Sequence, residues 1–122
     1  MNIEKEISAL ALELVKAQAR GANAGEYRSF CEGFPALLRN AGLAQTAAFL
    51  KAKGGHPHGA VYDHLERQFR RIGLLGDKDG LLESLVEPKK TSMAQYRLYS
   101  QLAMRVAQWH KRLAQALVEK KK

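Results

Sequence analysis

Apolar residues return at four-three-four-three spacing over the first twenty positions: Ile3, Ile7, Leu10, Leu14 and Ala17 share one stripe of an α-helix. Asn2 is a good N-cap for that helix, and Glu4 and Glu6 suit the positive end of its dipole. The pattern stops near Gly21 and restarts near Gly25, with Tyr27, Phe30, Cys31 and Phe34 on the next apolar side. Pro35 then removes a backbone donor and crowds the preceding turn. Periodicity nevertheless continues through Leu37, Leu38 and Ala41, which predicts a kink rather than a stop, with Gly42 as the C-cap.

An alanine-rich helix is predicted over 43–53, and Gly-Gly-His-Pro-His-Gly at 54–59 reads as a loop. Val61, Leu65, Phe69 and Ile72 mark the inward side of a helix from Ala60 to about Ile72. Gly73, Gly76 and Gly80 break up the next stretch, and Leu81–Val86 forms a short helix before Pro88. The last helix opens at Thr91 or Ser92 and runs to about Glu119, roughly 42 Å at about 1.5 Å per residue. Alternating strand patterns, internal repeats and domain linkers are absent. The expectation is an all-α fold, one domain over 1–122, a compact bundle of five or six helices with the long C-terminal helix as spine.

Length and composition agree. A chain of 122 residues buries roughly two-thirds of its unfolded surface, enough for a core without staples. With 46% apolar and 26% charged residues it is not a disordered or collagen-like chain. No apolar run reaches the roughly 18 residues of a membrane span, and Met1-Asn2-Ile3-Glu4-Lys5 does not open like a secretion signal. Cys31 is the only cysteine and forms no internal disulfide, which fits a cytoplasmic protein.

Charge changes the picture. Residues 1–87 carry eleven basic and eleven acidic side chains, whereas residues 88–122 carry nine basic residues and only Glu119. The whole net charge of +8 therefore lies in the last segment, and a neutral body with a basic segment points to a polyanion partner, nucleic acid before membrane.

The last helix has two faces. Tyr99, Leu102, Val106, Trp109, Leu113 and Leu117 form its apolar sector. Nearly opposite, Arg97, Gln101, Arg105, Gln108 and Arg112 form a stripe about 80° wide and roughly 22 Å long, flanked by Lys111. No acidic residue lies between Pro88 and Val118, so the stripe forgoes the Glu–Lys pairs of an ordinary solvated helix. Guanidinium forks and amides of this kind suit phosphate contacts. The competing reading is pairing with acids of other helices or of a partner, with Glu4, Glu6, Glu13 and Glu83 as candidates. The terminal Lys120-Lys121-Lys122 reads as a frayed solvated tail.

Catalytic constellations do not assemble from the sequence. There is no phosphate-binding glycine loop, zinc-type cysteine pair or nucleophile elbow. Cys31 reads as a small buried hydrophobe. His56, His58, His64 and Asp63 are close in sequence but lack the His-x-x-x-His spacing of a helical metal site, so no metal is expected. His110, at the edge of the apolar sector, reads as structural. Asp63, Glu66, Asp77, Asp79 and Glu83 read as solvated faces and caps rather than a nuclease centre. A helix-turn-helix reading of 38–46, with Gln45 and Thr46 facing bases, stands as an alternative.

Two stretches together carry a family resemblance. The first is Tyr27-Arg28-Ser29, Phe34-Pro35-Ala36-Leu37-Leu38, then Gly42-Leu43-Ala44-Gln45-Thr46-Ala47-Ala48-Phe49-Leu50 with Ala52-Lys53. The second is Tyr96 through Ala103, then Gln108-Trp109-His110-Lys111-Arg112-Leu113-Ala114. This order resembles the small all-helical subunit of the Cmr complex, the type III-B CRISPR effector; the small subunits of other CRISPR effector types share its shape and basic faces. Ala41, Gln108 and His110 depart from the family pattern. The resemblance implies a non-catalytic subunit without cofactor or small-molecule substrate. It implies as partners the backbone and other Cmr subunits, further copies of itself in a minor filament, and through the complex CRISPR RNA and target RNA in antiviral defence. Such a machine leaves sequence reading to base pairing, so its proteins need only backbone contacts. Arg97, Arg105, Lys111 and Arg112 are the first candidates for the nucleic-acid or partner surface, and Arg39, Lys51 and Lys53 the second. Gly42, Phe49 and Trp109 are assigned to the scaffold as cap, core and core anchor.

Overall fold

A computed structural model describes residues 2–120, so Met1 and, from the predicted tail, Lys121 and Lys122 lie outside the described residues. Its helices are α1 (Ile3–Ala19), α2 (Ala24–Ala41), α3 (Leu43–Lys53), α4 (Ala60–Arg71), α5 (Leu81–Val86) and α6 (Met93–Leu117). A single wide turn, Gly55–Gly59, joins α3 to α4. The fold is all-α, as the periodicity predicts.

Local chemistry sets the boundaries. Asn2 caps α1 by accepting from the Lys5 amide at 3.1 Å. Ser92 and Gln95 cap each other's backbone at the start of α6, a capping box with contacts of 2.8 and 3.1 Å. Pro35 lies buried inside α2, which continues to Ala41. Gly42, at φ 87° and ψ 163°, ends α2 and starts α3 in one residue. Only glycine occupies that backbone region without strain.

Helix α6 is the spine, packed along both α1 and α2; α4 closes the bundle against α1, and α5 pairs with α3. Ile7, Tyr27, Phe34, Leu65, Phe69 and Val106 belong to one buried cluster that draws on all these layers. Two polar fasteners hold the spine. Tyr96 accepts from the Ala44 amide at 2.9 Å, and Arg28 donates to the carbonyls of Val118 and Gln115 at 2.8 and 3.3 Å. A guanidinium at a helix C-terminus satisfies carbonyls that have no partner within the helix.

Three expectations are corrected. The buried face of α6 is Leu102, Ala103, Val106, Ala107, His110 and Ala114. It is rotated from the predicted sector: Trp109 and Leu113 are half-buried and Leu117 is 41% exposed. The reason is packing distance, since alanines let α1 and α2 approach α6 closely while contributing little to an apolar pattern. Trp109 packs against the core from its edge rather than inside it. Phe49 is not core either: it is 41% exposed and lies edge-on to His58, while Ala47 and Leu50 carry the buried side of α3. Third, the 54–59 segment is no free loop, because His58 packs edge-on against both Phe30 and Phe49 and His56 bonds to Gln18.

A candidate nucleic-acid interface

The predicted stripe is present as a surface. Arg97, Gln101, Arg105, Gln108 and Arg112 are all exposed along α6. Residues from α1 and α2 build its lower half into a cleft of about 480 Å³. Its walls carry Arg105, Lys111 and Arg112 from α6 and Arg39 from α2. Trp109 and Pro35 supply apolar surface and Gln108 an amide, and among the described residues Glu4 from α1 is the one carboxylate in the lining. Packing of α2 against α6 thus unites Arg39 with Arg105 and Arg112, positions more than sixty residues apart in sequence.

Glu4 is bound inside this cleft. One carboxylate oxygen accepts from Trp109 Nε1 at 3.0 Å, and the other lies 3.7 Å from Arg105 Nη1. The pairing reading of the stripe therefore holds at Arg105. Among the described residues Arg112 bonds only to a neighbouring amide, Gln115, at 3.4 Å. Arg97, Arg39 and Lys111 make no ion pair among the described residues.

The remaining candidates lie elsewhere. Arg97 is exposed about 12 Å along α6 from Arg105, beyond the cleft. Lys51 faces α5, pairing with Glu83 at 2.9 Å and lying 5.7 Å from the Tyr62 ring centre; the Glu83 bond raises its pKa. Lys53 is exposed at the end of α3, outside the cleft. A second cleft, lined by Arg67, Arg70, Arg71, Glu13 and Asp77, is less available to an anion. There Arg67 is paired with Asp63 at 3.0 Å and Arg70 with Glu66 at 3.4 Å.

The helix-turn-helix reading keeps only one of its two base-facing residues. Gln45 is exposed, but Thr46 is fully buried, its hydroxyl without a hydrogen-bond partner among the described residues, so it cannot reach a base edge. Glu66 and Asp63 are engaged by arginines, and Glu66 also accepts from the Leu81 amide at 2.9 Å to cap α5. Among the described residues no group of three or more His, Cys, Asp or Glu is placed to hold a metal. No helix is long and apolar enough to cross a membrane. Cys31 is fully buried, and burial pushes its thiol up to about 12.

Sequence reasoning missed one polar cluster. Tyr27 Oη lies 3.0 Å from His64 Nδ1 and 3.0 Å from His110 Nδ1, deep in the bundle. Gln68 Nε2 lies 3.0 Å from the Ile7 carbonyl and 3.2 Å from His110 Nε2. The Ile7 carbonyl only accepts, which fixes the amide orientation and makes His110 Nε2 an acceptor. His110 Nδ1–H then donates to Tyr27, and Tyr27 donates to His64. The chain of bonds is complete only with both imidazoles neutral. Burial holds them neutral, lowering His64 to about 4 and His110 to about 3. Burial also raises the Tyr27 hydroxyl above its ordinary range. The cluster ties α2 and α4 to α6 beside Trp109. No sequence signal marks it beyond a histidine and a tyrosine on predicted apolar faces.

Comparison with known proteins gives a consistent result. A family model described as CRISPR-associated protein (Cas_Cmr5) matches residues 3–117. The CRISPR system Cmr subunit Cmr5 of Thermus thermophilus is 35% identical over 109 residues, 89% of this chain and 90% of that protein. The protein of the same description from Thermotoga maritima is 28% identical over 113 residues, 93% of this chain and 82% of its own length. The crystal structure of a CRISPR-associated Cmr5 family protein from Thermus thermophilus superposes with a TM-score of 0.80 at 30% identity, covering 98% of this chain and 99% of that one.

Proposed function

The chain belongs to the Cas_Cmr5 family of CRISPR-associated proteins, and on that basis we propose that it is the small, non-catalytic subunit of a type III-B Cmr effector that contacts RNA. Copies of it stack in a minor filament along the target RNA, beside the subunits that hold the guide. The observation that carries the RNA contact is the cleft of α2 and α6, where Arg39, Arg105, Lys111 and Arg112 face a single carboxylate. Guanidinium forks without a matched set of acids suit sequence-independent contacts to phosphate. The groups that could carry chemistry serve the scaffold instead: Cys31 and both buried histidines lie inside the bundle, and Asp63 and Glu66 are bound to arginines.

The test is an Arg105→Glu/Arg112→Glu double variant. Both side chains are exposed, so the fold survives. The variant is expected to lose incorporation into the Cmr complex or to weaken target RNA binding at least tenfold. Normal assembly together with normal RNA binding overturns the reading.

A further inference from the structure

The cleft already contains an anion of the protein's own. Glu4 extends from the first turn of α1 and accepts from Trp109 Nε1 with one oxygen while lying 3.7 Å from Arg105 with the other. It offsets one charge in a lining that also holds Arg39, Lys111 and Arg112, so positive charge remains in excess. Its hold is weak: the Glu4 and Arg105 side chains are 50% and 58% exposed, and exposed pairs contribute little in water. Released, the carboxylate still sits at the favourable end of the α1 dipole. The cleft volume, about 480 Å³, lies in the range that accommodates a small ligand such as one nucleotide.

We propose that this cleft is a subsite for one nucleotide of single-stranded RNA, in which a phosphodiester displaces Glu4 from Arg105 and Trp109 and the adjoining base stacks on the Trp109 indole. The inference rests on the RNA-contact reading of the same cleft and adds the stacking residue and the displaced group. Charge balance is preserved, since one anionic group replaces another on Arg105 and the indole N–H. Arg39 and Arg112 supply further forks for phosphate oxygens, and Gln108 an amide for phosphate or sugar. An acidic protein segment would satisfy the arginines equally. The half-buried indole among them favours RNA, because every base offers a face to stack on and a carboxylate side chain does not.

Trp109 is the sole tryptophan, so its fluorescence reports on this site alone. The experiment titrates the full chain with a twelve-nucleotide oligouridylate, following Trp109 emission and the anisotropy of a labelled strand. The oligonucleotide is expected to quench Trp109 saturably. Glu4→Gln, which keeps an acceptor for the indole N–H but removes the competing charge, is expected to bind about two- to fivefold more tightly, the factor set by losing an exposed ion pair. Equal or weaker binding by Glu4→Gln, or binding without quenching, overturns the inference. If Arg105→Glu/Arg112→Glu nevertheless loses RNA, the RNA-contact reading stands and only the subsite falls. If Trp109 becomes shielded on assembly without RNA and oligouridylate never quenches it, the cleft docks protein and the inference is overturned.

Discussion

Acidification to pH 5 should strip this protein of a large part of its stability through two residues. His64 and His110 sit on either side of Tyr27, each 3.0 Å from its hydroxyl, in a bond chain that accommodates only neutral imidazoles. Burial lowers their pKa from 6.5 to about 4 and about 3. Asp63 opposes this shift at His64, and Arg67 and His56 add to it. In the unfolded chain both rings take up a proton below about pH 6.5, while in the folded chain they stay neutral until far lower pH. The unfolded state therefore binds more protons over this window, so stability is full above pH 6.5 and falls as pH falls. Each ring costs about 1.4 kcal/mol per pH unit well below 6.5. Integrated from pH 7 to pH 5, this is about 2 kcal/mol per ring and about 4 kcal/mol for the pair, against the roughly 5–15 kcal/mol by which domains are commonly stable. The measurement is urea unfolding at half-unit steps between pH 7 and 5, followed by circular dichroism, a range that stays above the ordinary carboxylate pKa values. His64→Asn keeps an acceptor where Nδ1 stood and does not titrate, so it should lose about half of the pH dependence. A wild-type change below about 1 kcal/mol, or an unaltered slope in His64→Asn, refutes the bond order derived from the Ile7 carbonyl.

Tyr27→Phe keeps the ring but leaves two buried imidazole nitrogens without their shared partner; a loss of about 1–3 kcal/mol in urea unfolding is expected. Gly42→Ala forces a side chain into φ 87°, ψ 163° at the α2–α3 junction, where the nearest foreign atom, 3.8 Å from the added carbon, leaves room; the expected cost of about 1–3 kcal/mol is backbone strain, read as a lower Tm. Leu50→Ala should cost about 2–5 kcal/mol because Leu50 is fully buried, whereas Phe49→Ala should cost clearly less in the same assay despite removing a larger side chain. Equal losses at positions 49 and 50 would show that Phe49 is core after all.

The helices follow from the order of residues where their boundaries are local events, although α5 starts on Glu66 of α4 and α6 ends on Arg28 of α2. Asn2 and Ser92 cap within three residues of themselves, Gly42 supplies a backbone conformation that other residues resist, and the 3.6-residue period marks the inward positions of α4 and, in α1, Ile7, Leu10 and Leu14, whereas Ile3 and Ala17 of the same stripe are exposed. The basic excess on one exposed stripe of α6 was equally legible, because an acid-free segment is a property of composition. The rotation of α6 was not legible and came from packing. Close approach through Ala103, Ala107 and Ala114 moved Trp109 to a cleft wall and brought His110 into the core, a choice that apolar periodicity does not register. The same packing joined Arg39 to Arg105 and Arg112, set Glu4 among them, and closed Tyr27, His64, Gln68 and His110 into one chain of bonds. These are contacts between residues far apart in sequence, created when helices pack. Periodicity within a helix says which side turns inward, but not which side chain of another helix it will meet.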